Sequence, residues 1–285
     1  MHAPRLFYLR LGPLSVGLLL LCGSALGAGR DAGLTRELHP WGRFREGAWK
    51  QSRLVTHTFD ERGELVSTSV TETRTTLKKV EADGVVLLVE AVVEVGGQEL
   101  ATPPKTVKLG FHGENAAESA VVRTLQPGQV TVGGRIIPCS VQQVETNDAG
   151  NGTITKVYYS PTVAPFILRK ESVTTDAQGH VKLSETTLEV VSLRMPCKVL
   201  NIRSTAHVKV VSKHPKGAST TWAFTSVDVP GGVVCRTIRE LDENGRLLRR
   251  STLELVGYGL DPEDETPTLL SRWRNRHRAA RTPPR

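Results

Sequence analysis

Three short corners constrain this chain more than any other feature. Phe59-Asp60-Glu61-Arg62-Gly63, Thr175-Asp176-Ala177-Gln178-Gly179 and Leu241-Asp242-Glu243-Asn244-Gly245 each set D-x-x-G between stretches rich in Val, Thr, Leu and Ser. An Asp at the first position of a type I turn accepts backbone N–H bonds through its carboxylate, and a Gly at the fourth takes a positive φ freely. The flanking strands then leave antiparallel with a bulge. One such corner is commonplace; three in matched surroundings point to hairpins reused along the chain.

The second and third corners agree beyond the turn. Thr187-Leu188-Glu189-Val190-Val191 parallels Thr252-Leu253-Glu254-Leu255-Val256, with a one-residue gap that a bulge in one copy would explain. Val157-Tyr158-Tyr159-Ser160 before Ala164-Pro165-Phe166-Ile167 parallels Trp222-Ala223-Phe224-Thr225 before Pro230-Gly231-Gly232-Val233. Pro138-Cys139-Ser140-Val141 parallels Pro196-Cys197-Lys198-Val199. The expected organisation is a linker over 28–44, a first β unit over 45–134, repeats over 135–195 and 196–260, and a basic tail over 261–285.

Other strands fall between ordinary turn signals. Asp83-Gly84 separates 75–81 from Val85–Val95, and Gly96-Gly97 closes the latter. The apolar run Val85 to Val89 reads as covered on both faces. Leu247, Leu253 and Leu255 alternate with Arg250, Thr252 and Glu254, the pattern of a sheet with one wet side. With 105–111, 134–145, 153–159 and 199–211, about twelve strands result. Helix is expected only over 114–125 and 268–280. No strand alternates with a long amphipathic helix, so the fold class is mainly β: an antiparallel curved sheet or half-barrel built from hairpins.

The N-terminus reads as a secretory signal over Met1–Gly27. Arg5 and Arg10 supply its positive region, Leu11–Leu21 its apolar core, and Ala25 and Gly27 its cleavage site. The apolar run is shorter than the ~20 residues of a spanning helix. Cys22 admits a second reading as a lipidated cysteine, against which stands Leu21, where such signals carry Gly, Ala or Ser. The expected location is periplasmic or secreted, with the arginine-rich, lysine-poor tail suggesting a bacterial source.

The formal net charge of +8 belongs to that tail. Without residues 1–27 the 37 Lys and Arg become 35, and six of these are Arg272, Arg274, Arg276, Arg278, Arg281 and Arg285. The body over 28–270 therefore balances 29 basic against 29 acidic residues. A balanced body argues against nucleic-acid binding. Arg272, Arg274, Arg276 and Arg278, with Trp273 as an interfacial anchor, could touch an anionic membrane surface. Three cysteines survive cleavage. They read either as a Cys139–Cys197 disulfide, if the Pro-Cys strands are neighbours, or as three buried thiols.

Catalytic and metal motifs are missing. His39, His57, His112, His180, His207, His214 and His277 show no H-x-H or H-E-x-x-H spacing, and the cysteines show no C-x-x-C. There is no G-x-S-x-G and no Gly-rich phosphate loop. The recurring Asp60, Asp176 and Asp242 are accounted for by turn geometry. The chain is expected to be no enzyme and to need no cofactor. The aromatics Trp49, Tyr158, Phe166, Trp222 and Phe224 are either core or the lining of a cavity for an apolar ligand.

In its run of antiparallel strands over about 45–260, its hairpin repeats and its scarcity of helix, the chain resembles the LolA/LolB-like superfamily of periplasmic lipoprotein carriers. That resemblance implies an open half-barrel whose apolar concave face holds acyl chains under short helices. No motif matches residue by residue, so no binding residue carries over. The functional expectation is a non-enzymatic exported protein binding a lipid or a lipoprotein acyl chain. The alternative is a structural or interaction module of the cell envelope.

Overall fold

The computed structural model of the protein describes residues 34–112, 120–148, 150–200, 204–261, 269–271 and 273. The expected signal over Met1–Gly27 with Cys22, and Arg272, Arg274, Arg276 and Arg278, lie outside them. Fourteen strands form one antiparallel sheet. They are β1 (Trp49–Phe59), β2 (Leu65–Val80), β3 (Gly84–Val95), β4 (Gln98–Ala101), β5 (Lys105–Gly110), β6 (Val121–Val132), β7 (Arg135–Asp148), β8 (Asn151–Tyr159), β9 (Ile167–Thr175), β10 (Lys182–Met195), β11 (Thr205–His214), β12 (Gly217–Thr225), β13 (Val233–Asp242) and β14 (Leu247–Gly259). The order runs β4-β3-β2-β1-β14-β13 and on down to β6, with β5 beside β3. An unbroken meander from β6 to β14 is thus extended at its end by β1, which pairs with β14 from Trp49↔Gly259 to Thr58↔Arg249.

The sheet curls strongly without closing into a barrel. Lys170 on β9 donates from Nζ to the carbonyl of His112, two residues past β5, at 3.3 Å. Nine strand spacings separate β5 from β9, so in a flat sheet these groups would stand about 43 Å apart. Contacts of β6 with β8, β9 and β10 show the same bending at the other edge.

The three D-x-x-G corners have one construction. The Gly N–H donates to the Asp carbonyl at 3.1 Å in Asp60–Gly63, 2.9 Å in Asp176–Gly179 and 3.1 Å in Asp242–Gly245. In each, Asp Oδ1 accepts two further N–H groups: from Arg62 and Glu64, from His180 and Val181, and from Asn244 and Arg246. The strand register slips by one residue just after every corner. The one-residue gap seen in the sequence is therefore not a bulge peculiar to one copy. It is an extra residue in the middle corner, whose closing bond runs Asp176 to Val181 where the others run Asp60 to Glu64 and Asp242 to Arg246.

The loops 160–166 and 226–232 match bond for bond. Ser160 N–H donates to the Phe166 carbonyl and Ser226 N–H to that of Gly232, both at 2.8 Å. This sets Val157 against Ala223 and Tyr158 against Phe224, one residue away from the alignment suggested by the aromatics. The Pro-Cys match fails. Ser140↔Tyr159 on β7–β8 corresponds to Ala206↔Thr225 on β11–β12, so the counterpart of Cys139 is Thr205. Pro196-Cys197 lies before β11 in a loop, not on the strand expected from 199 onward.

Residues 121–125, expected in a helix, open β6 instead. Val121, Val122 and Thr124 are β-branched, and pairing with Gln142–Glu145 of β7 outweighs local periodicity. Residues 269–271 and 273 are helical, within the span expected, and Leu269, Leu270 and Trp273 cover Val92 and Ala101 on one face of the sheet. In the apolar run of β3, Val85 and Leu87 are fully buried, whereas Val86 and Leu88 on the other face are half-buried, so one face is only partly covered. The supposed linker over 28–44 is, from Leu34 onward, a packed strap across the opposite, inner face. Leu34 and Leu38 join a core built on β6 to β11, and Trp41 joins a second built from Leu77, Val85, Leu87 and Leu109.

Candidate functional site

The inner face changes character along its strands. Under the strap, Val190, Val208 and Ala223 stand in register across β10, β11 and β12, and Leu168 of β9 joins the same core, all buried. Toward the Asp–Gly corners the same face turns to hydroxyls. Thr155 meets Ser172, Thr186 meets Ser212 and Thr56 meets Ser251, each pair at 2.9 Å. Strand alternation produces this directly, since Leu188 and Thr186, or Val210 and Ser212, are two residues apart on one strand and share a face. The result on β8, β10 and β11 is an apolar floor that passes directly into a hydroxyl-lined margin, with Lys170 between the two on β9.

The strap covers that floor in two ways. At its start, Leu34 N–H donates to Gln142 Oε1 at 3.1 Å, and the side chains of Leu34 and Leu38 do the rest by burial. At its end the backbone is locked. Gly231 N–H donates to the Pro40 carbonyl at 3.0 Å, Gly47 N–H to Leu77 at 2.8 Å, and Leu77 N–H to Ala48 at 2.8 Å. His39 Nδ1 accepts the N–H groups of Trp41 and Gly42, folding the chain tightly around the ring. Gly231 has φ +73, and a Cβ there would lie 2.7 Å from Lys50 Nζ and 2.8 Å from Trp41 Nε1. Only glycine permits this approach.

Beneath that junction sits a pair of cations. Lys50, on the inward parity of β1, is buried with its ammonium 5.6 Å from the centre of the Trp41 ring. Burial, and secondarily the charge of Arg236 on β13, lower its pKa to about 7. Desolvation likewise lowers that of Arg236. Neither residue belongs to a motif, although Lys50 shares the parity of Ser52, Leu54 and Thr56 along β1, a pattern visible in the sequence. A cleft lined by Pro40, Arg43, Pro165, Thr225, Ser226 and Gly232 adjoins this junction, and its volume of about 10 Å³ has room for a single water. Among the described residues no three His, Cys, Asp or Glu side chains gather to hold a metal ion.

The five aromatics singled out in the sequence do not converge. Trp49 is buried on the outer face, with the Arg74 guanidinium 4.1 Å above its ring. Tyr158 points opposite to Val157 and lies beneath Arg169. Phe166, with φ +76 at the end of its loop, is core. Trp222 and Phe224 flank His207 on the outer face, with ring centroids 5.1 and 4.8 Å from the imidazole. Alternation explains the split, because Trp222 and Phe224 share a parity opposite to the inward Thr221, Ala223 and Thr225. The expected Cys139–Cys197 bridge is also absent. Cys139 is buried on β7 with its Sγ–H on the Ile137 carbonyl, while Cys197 packs against Val229, Val234 and Leu255 at the far side of the β10–β11 loop.

No protein-family model matches the chain, and no curated protein sequence matches it. Among solved structures it is similar to a protein described as exported, with a YmcC-like fold, from Bacteroides fragilis. The identity is 8%, the TM-score 0.29, and the match covers 75% of this chain and 97% of that one. It is also similar to a protein described as a lipoprotein from Parabacteroides distasonis, at 14% identity and a TM-score of 0.25, over 74% of this chain and 95% of that one. Neither description names the LolA/LolB-like superfamily.

Proposed function

We propose that the protein is a non-enzymatic, exported binder of an amphiphile, a lipid or the acyl chain of a lipoprotein, on the inner face of its curved sheet. The observation that carries this reading is the gradient on that face. On β8, β10 and β11 buried aliphatic side chains run directly into threonine and serine hydroxyls, while on β9 Lys170 stands between Leu168 and Ser172, so the face joins an apolar floor to a polar margin as an acyl chain joins a polar head. The leucine end of the strap occupies the floor where the chain would lie. Ligand entry therefore means lifting Leu34 and Leu38, with the Trp41 end acting as the hinge. Burial of methylenes, at about 0.8 kcal/mol each, supplies the affinity without covalent chemistry.

Native purification followed by lipid extraction and mass spectrometry tests the reading. The expected result is near-stoichiometric lipid. A long-chain fluorescent fatty acid should bind and increase amide exchange at Leu34–Leu38. Consistent absence of both lipid and probe binding would favour the interaction module, whose supporting observation is edge strand β6, where Val121 and Val122 stand exposed.

A further inference from the structure

We propose that Cys197 and Cys235 form a disulfide that ties the β10–β11 loop to β13. Cys197 lies in the loop between Met195 and Thr205, and it packs against the cluster of Val229, Val234 and Leu255, in which Val234 is the residue before Cys235. Val234 sits where the β12–β13 register slips, between Thr225↔Val233 and Phe224↔Cys235. The packing of Cys197 on the cluster that holds Val234 makes the two thiols neighbours although 38 residues of chain separate them. Cys139 takes no part, because it is enclosed on β7 with the Ile137 carbonyl. The pairing is thus set by a loop folding back on a strand, whereas the two Pro-Cys segments are not structural counterparts.

The chemistry is thiol–disulfide exchange with a small-molecule or protein disulfide as oxidant. Burial, with the charge of Cys197 beside it, pushes the Cys235 thiol up to about 11. Exchange therefore begins at Cys197, which forms a mixed disulfide and releases one donor thiol. Cys235 then attacks the Cys197 sulfur, expels the second donor thiol and passes its proton to it. Two electrons reduce the donor disulfide to two thiols as the Cys197–Cys235 bond forms.

The full chain is equilibrated in a glutathione and glutathione-disulfide buffer, capped with N-ethylmaleimide, and digested without reductant for peptide mapping. The expected map holds one cross-linked pair, containing Cys197 and Cys235, with Cys139 alkylated. Cys139→Ser keeps the cross-link, and Cys197→Ser or Cys235→Ser abolishes it. Reduction should lower the Tm by roughly 5–15 °C, as expected for opening a loop of this length in a domain of this size. A cross-link through Cys139 or Cys22 would overturn the proposal. So would recovery of Cys197 and Cys235 each carrying glutathione or maleimide while circular dichroism reports a folded sheet. If the serine variants misfold, the wild-type map alone decides.

Discussion

The two ends of the strap make a useful contrast. Leu34 and Leu38 lie on aliphatic rows and are held by burial, with one backbone N–H on Gln142. From Pro40 to Ala48, backbone bonds to Gly231 and Leu77 lock the chain over a buried lysine. Leucines on a smooth apolar surface can be exchanged for another hydrocarbon at little net cost, because one apolar contact replaces another. Directed hydrogen bonds and a ring wedged against a glycine have no such substitute. The difference teaches which end of the strap can move: the leucine end is replaceable and the tryptophan end is a fixed anchor.

The contrast breaks most visibly if the anchor is removed. Trp41 is fully buried, and Trp41→Ala should cost about 4 kcal/mol through lost burial and the cavity left behind. Urea unfolding reads this as a fall in midpoint. A loss below about 1 kcal/mol would mean that the strap carries no stability at this end. Gly231→Ala attacks the same junction from the loop before β13 and should cost roughly 2–3 kcal/mol, since its Cβ meets both Trp41 and Lys50 at a positive φ.

Lys50 sharpens the comparison through pH. Its ordinary value of 10.5 in the unfolded chain falls to about 7 in the fold. Between those values the unfolded state binds more protons than the folded one, so stability rises with pH from about 7 toward 10 and is lowest below 7, where the buried ammonium is charged. Lys50→Met should remove that rise and stabilise the protein by a few kcal/mol at pH 6. Thermal melts of both proteins from pH 6 to 9 give the answer. Parallel curves would place the lysine in contact with water or an acid.

How much of this could be seen in the sequence follows from the range of each signal. The hairpins were visible because a D-x-x-G corner is local: Asp60, Asp176 and Asp242 satisfy their own neighbours' N–H groups, and nothing distant is needed. Edge strand β6 was hidden, since Val121 to Leu125 gain their partners from β7 and an isolated segment shows no such pairing. The site was less visible still. Trp222 and Phe224 drew attention as large aromatics, yet their parity sends them outward, while the inward residues on β12 are the inconspicuous Thr221, Ala223 and Thr225. Parity across fourteen strands depends on every bulge, and each register slip is set by pairing rather than by composition. Cys197 illustrates the same limit: its partner comes from a loop trajectory that no spacing encodes.

The leucine end offers the smallest stability effect and the most informative one. Leu38→Ala should cost less than a tightly packed core leucine, about 2 kcal/mol at the low end of the usual range, if the strap can settle onto the sheet. In the amphiphile reading the same change should raise affinity for a long-chain fatty acid, because the competitor for the floor has lost three carbons. Burial at about 0.8 kcal/mol per methylene, over the three carbons lost, makes a gain of roughly ten- to fifty-fold the expectation. Trp41→Phe, which keeps a ring at the hinge, should leave that affinity unchanged. A Leu38→Ala variant that loses stability while binding the probe no better than wild type would mean that Leu34 and Leu38 are permanent core, and that nothing takes their place.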